Sequence, residues 1–141
     1  MMQSAIFIPF FGMIILTFLV WIYMYIRRLR FLITNKIRPD AVATPEKANR
    51  IIPEPINYSS NNLKNLFELP VLFYAICLYL YVTQQVDTIY LLCAYGFLIF
   101  RAIHSIIQCT INIVMLRFIA YLLATVTLWI MVARAAWQLF L

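Results

Sequence analysis

Arg101, His104, Ser105, Gln108 and Asn112 fall at offsets of 0, 3, 4, 7 and 11, so a helix through them carries all five along one side. Upstream, Asn61, Lys64, Asn65 and Glu68 follow i, i+3, i+4, i+7 spacing and share another face. Arg117, Tyr121 and Thr125 make a third polar edge. Together they offer cations, one acid, carboxamides, an imidazole and a phenol. Such a set can hold a charged ligand, relay a proton, or satisfy itself through pairs such as Glu68 with Arg101 or Arg117. The residues around the first stripe, including Ile103, Ile106, Ile107 and Ile111, are apolar. An ionised arginine facing acyl chains costs at least about 2.5–3.5 kcal/mol, so that stripe must face other helices or a watery cavity.

The elements that position these residues are hydrophobic spans. The chain is 65% hydrophobic and 11% charged, with a mean hydropathy of +0.90, which leaves no ordinary soluble surface and predicts an integral membrane protein. Ala5 to Ile26 is an uncharged run long enough to cross the roughly 30 Å hydrocarbon layer as a helix. It exceeds a signal-peptide apolar region of roughly 7–15 residues and lacks a basic stretch before it, so it reads as a retained span. Three further uncharged stretches cover 69–86, 88–100 and 118–133. The expected architecture is an all-α membrane protein, one four-helix transmembrane domain over residues 1–141, with helices at about 4–32, 61–83, 88–112 and 117–140 and a loop at 33–60.

Eight of the eleven Lys and Arg residues lie between Arg27 and Lys64. The positive-inside rule therefore places the 33–60 loop in the cytoplasm and both termini outside. All four helices then contribute polar residues to one cytoplasmic half, while the outer half holds only Asp87 and Arg134. Arg27, Arg28 and Arg30 also suit interfacial anchoring, and Lys64 can snorkel. The net charge of +6 points to anionic lipid headgroups; the aromatic interleaving and folded modules of nucleic-acid binders are absent. Four prolines and most of the acids predict turns in the loop, Ser59, Ser60, Asn61 and Asn62 are candidate caps for the second helix, and Pro70 predicts a kink beside Glu68. Cys77, Cys93 and Cys109 have no metal-ligand spacing, a single histidine completes no pair, and no metal site is expected.

Asn65-Leu-Phe-Glu68 followed by Pro70, then Arg101-Ala-Ile-His104, then Arg117, resembles the pattern of the MAPEG family, the membrane-associated proteins in eicosanoid and glutathione metabolism. Arg28-Leu-Arg30 and Thr44-Pro-Glu-Lys-Ala48 extend the likeness over nearly the whole chain, towards the branch of microsomal glutathione transferases and prostaglandin E synthase. The resemblance implies a homotrimer with glutathione as co-substrate, bound between subunits near the cytoplasmic side. By similarity Arg117 would stabilise the thiolate and Tyr121 would be a second donor, while Arg28, Lys64, Asn65, Glu68, Arg101, His104 and Gln108 would bind substrate. Physically, two carboxylates and an amine in the tripeptide call for several cations and one acid, and a nearby fixed positive charge lowers a thiol pKa from about 8.5. The chain departs from the branch pattern at Gln108, where tyrosine is common, at Phe118, in place of a small hydroxyl residue, and at Lys64, in place of arginine. Asn57 to Asn62 lacks that branch's extra arginines.

The leading expectation is thus a glutathione-dependent membrane transferase or peroxidase acting on hydrophobic electrophiles or lipid hydroperoxides. The alternative is a non-catalytic lipid-binding or scaffold protein of the same fold. A proton relay or small transporter through Glu68, Arg101 and His104 is disfavoured, because the charges stop halfway across.

Overall fold

The computed structural model describes residues 2–141, and everything in them that is regular is helical. A short turn at Gln3–Ile6 leads into α1 (Phe7–Thr34). A second turn at Pro39–Val42 precedes α2 (Pro45–Ile51) and α3 (Glu54–Asn65). The chain continues through α4 (Leu69–Val82), α5 (Thr88–Cys109) and α6 (Val114–Leu139). Four helical stretches are long and apolar enough to cross a membrane: Gln3–Thr34, Glu54–Val82, Thr88–Cys109 and Val114–Leu139. The protein is a four-helix membrane bundle.

Two local expectations need correction. The 33–60 connection is largely helical, because Thr44 caps α2 by accepting the Lys47 N–H at 3.3 Å, with proline in the first turn. The second span begins at Glu54 after Pro53, which leaves Ser59, Ser60, Asn61 and Asn62 inside α3 rather than at its start. The break beside Glu68 is where the proline argument puts it. Lacking an N–H, Pro70 cannot continue α3, but its fixed φ suits the first turn of α4. Residues 66–68 separate the two helices.

α5 and α6 form the most extensive helix pair, and α1 packs chiefly on α3. Small residues allow close approach: a Cβ added at Gly96 of α5 would stand 3.2 Å from the Thr127 methyl of α6. The core between the helices contains Phe73 stacked on Phe97 at 4.4 Å, with Tyr90, Leu128 and Met131 fully enclosed. Facing outward are Ile8, Phe11, Phe18, Leu92, Ile106 and Trp129, as lipid or another subunit requires.

At one end, the Gln3 carboxamide exchanges two hydrogen bonds with the Val86 backbone, at 3.1 and 2.9 Å. Close by, Arg134 grips both oxygens of Asp87. The opposite end holds the end of α1, all of α2 and α3, the end of α5 and the start of α6. There the polar stripes meet.

Candidate functional site

The helix break explains how Arg101 is held. Asn65 closes α3, so its carbonyl lacks the ordinary amide donor four residues on and takes instead a long bond, at 3.4 Å, from the Glu68 N–H. Arg101 Nη2 supplies a shorter one at 2.9 Å, and its charge lies at the negative end of the α3 dipole. The Arg101 side chain is fully buried, and its guanidinium stands 5.7 Å over the Tyr121 ring. Its Nε and Nη1 remain without partners. Glu68 does not pair with it. That carboxylate lies exposed at the break, and the ion pairs among the described residues are Arg38–Asp40 and Arg134–Asp87.

From Arg101 a polar chain continues across three helices. Asn65 Nδ2 donates to Gln108 Oε1 at 3.0 Å, and that oxygen lies 2.9 Å from His104 Nε2. His104 Nδ1 lies 2.9 Å from the Arg117 carbonyl, which ties α5 to α6. Only an imidazolium donates to both oxygens. A neutral ring donates once and needs the Gln108 carboxamide turned to present N–H. The His104 ring is also 5.8 Å from that of Tyr121. Buried Asn62 joins by accepting from Ser105 at 3.3 Å and facing Cys109.

Arg117 is half-buried, and Nη1 donates to Asn112 Oδ1 at 2.7 Å. Its contact is a neutral carboxamide, so its charge is not cancelled. Arg28 and Lys64 line a separate cleft of about 260 Å³ with Thr44, Asn49 and Ser60. Arg28 Nε is buried there without a partner. The cleft has two cations and no acid on its walls. Its volume lies just below the roughly 300–1,000 Å³ of whole-ligand sites. Separately, α1, α3 and α4 line an apolar groove of about 500 Å³ whose walls include Ile14, Phe18, Trp21, Leu63, Phe67 and Tyr74.

Of the residues the sequence singled out, the fold thus gathers Asn65, Arg101, His104, Gln108, Arg117 and Tyr121 into one network. It sets Arg28 and Lys64 together in the cleft, and leaves Glu68 exposed at the break. Sequence reasoning did not single out Asn62 and Asn112 for the site. Asn62 is buried because its position in α3 faces α5; Asn112 was visible as the last member of the α5 stripe.

No group of three or more potential metal ligands occurs among the described residues. Neither the curated proteins nor the solved structures contain a match to this chain. A family model does match, over residues 6–137, nearly the whole length and every element of the site, and it is that of the MAPEG family. The chain belongs to the MAPEG family.

Proposed function

We propose that this protein is a glutathione-dependent membrane transferase or peroxidase, allied to the microsomal glutathione transferase and prostaglandin E synthase branch. The observation that carries the reading is Arg117, a half-buried cation bonded to a neutral side chain and joined through His104 to a buried network. A fixed cation with no carboxylate in contact favours a thiolate over a thiol. The Arg28–Lys64 cleft suits a carboxylate of the tripeptide, and exposed Glu68 its amine. In this reading Asn65, Arg101, His104 and Gln108 form the polar wall against which the peptide lies, and Tyr121 donates to sulfur.

In a transfer, the thiolate forms a bond to an electrophilic carbon and the leaving group departs with the electron pair. With a hydroperoxide, it attacks the terminal oxygen, forming an S–O bond as the O–O bond breaks; the alkoxide takes up a proton and leaves as the alcohol, and the sulfur becomes a sulfenic acid. A second glutathione then yields the disulfide and water. The apolar groove beside Leu63 and Phe67 suits a hydrophobic second substrate arriving from the bilayer. A homotrimer places neighbouring subunits over the exposed apolar faces and completes the site, and the basic end faces the cytoplasm.

The same groove favours a second reading, a lipid-binding protein with no thiol chemistry. The test is glutathione binding by the full chain in nanodiscs, with thiolate absorbance followed in the same samples. Saturable binding, weakened in Lys64→Gln, with a thiolate signal lost in Arg117→Ala, is the expected result. No binding at millimolar glutathione by folded protein would remove the transferase and put the lipid-binding reading first.

A further inference from the structure

Resting on the role given to Arg117 above, we infer that Asn112 is a positioning residue that aims the Arg117 guanidinium while leaving its charge intact. The turn between α5 and α6 is built around this residue. Asn112 has a φ of +49°, in the left-handed region that asparagine tolerates better than other non-glycine residues. Its N–H bonds the Ile107 carbonyl at 2.7 Å, which closes the end of α5. That conformation sends its carboxamide to Arg117, whose Nη1 donates to Oδ1 at 2.7 Å. Arg117 is therefore held at two points, by His104 on its carbonyl and by Asn112 on its guanidinium.

The chemistry of the side chain matters as much as its reach. Aspartate would also accept a left-handed turn and would bond arginine more strongly, but it would cancel the charge. Glycine would form the turn at least as well and offer no acceptor. A residue needed only for the turn would be replaceable by either. The chain has asparagine, which alone of the three combines the turn, an acceptor and neutrality.

These substitutions make the test. Asn112→Gly and Asn112→Asp would be prepared as full-length protein in nanodiscs, with rotation of the Arg117 guanidinium followed by nitrogen NMR without added thiol. Arg117 rotation is expected to be slow in the parent, faster in Asn112→Gly at unchanged melting temperature, and slow in Asn112→Asp. With glutathione present, Asn112→Asp should raise the bound-thiol pKa by about one unit, a roughly tenfold shift in the thiolate-to-thiol ratio at any given pH. Unchanged rotation in Asn112→Gly would overturn the assignment, and so would an unshifted thiolate titration in Asn112→Asp. If rotation responds but the parent binds no glutathione, Asn112 still positions Arg117 and the transferase reading is what fails.

Discussion

Arg117 and Arg134 sit near opposite ends of the same helix, α6, and both are half-buried. Arg134 meets a carboxylate, with Asp87 taking two of its N–H groups, and packs 4.4 Å over the Tyr90 ring. Tyr90 in turn donates to Gln138 at 2.6 Å, so both oxygens of the carboxylate and the phenol of that cluster have partners within the bundle. Arg117 meets a carboxamide and keeps its charge. The first arrangement fastens α6 to the start of α5 and asks nothing of a ligand. The second leaves a cation whose natural complement is an anion from outside the protein. Arginine in a membrane helix is thus not by itself a sign of function; the charge of its neighbour separates the two cases.

The sharpest way to break this contrast is through the fully buried arginine of α5. Arg101 is enclosed and caps the α3 carbonyl, so Arg101→Ala should leave a cavity and an acceptor served only by the long bond from the Glu68 N–H, costing about 2–4 kcal/mol. Thermal unfolding in detergent measures it. A variant as stable as the parent would show that Arg101 serves the ligand and not the helix break. Next in size, Arg28→Gln with Lys64→Gln should weaken binding of an anionic tripeptide about tenfold to a hundredfold while the melting temperature holds, since those cations line a cleft without an acid. Equal losses of affinity and stability would make the cleft structural.

The sequence disclosed these regions unequally, and for physical reasons. Spans of apolar residues announce themselves through composition, and Pro70 marks the break because a missing N–H acts wherever the residue is placed. The α5 stripe was legible because helical spacing alone put Arg101, His104, Ser105 and Gln108 on one buried side. Partners across helices were not. Glu68 looked like the natural mate of Arg101, yet the break that Pro70 imposes leaves it exposed and gives Arg101 the Asn65 carbonyl instead. The helical 45–51 segment was obscured by Pro45, which reads as a turn former and in fact occupies the helix's first turn. Asn112 shows the same limit: spacing put it in the stripe, and only its left-handed backbone shows why it reaches Arg117.

At the Asp87 end smaller effects are expected. Arg134→Ala removes a well-formed pair, but the two side chains are 28% and 37% exposed, so solvent screening limits the loss to about 1 kcal/mol or less. Glutathione binding should not change. A drop in affinity there would mean that the two ends communicate along α6.

The pH dependence of that pair is the finest test. Arg134 beside Asp87 holds its carboxyl below the usual carboxylate range, with the Tyr90 backbone N–H adding to the effect and partial burial opposing it. Because the folded-state pKa is the lower one, the unfolded chain takes up the proton first as pH falls. The contribution to stability is therefore complete above the unfolded value of about 3.9 and drains away as pH drops towards and through the folded value. In Asp87→Asn this acid-side loss should shrink, and comparison of melting temperatures between pH 6 and pH 3 reads the difference, to be taken about one unit at a time. Arg117→Ala should leave the acid limb as it is, since no carboxylate depends on that arginine. An acid limb altered equally by both substitutions would mean that Arg117 has an acidic partner after all, and the distinction between the two ends of α6 would fall.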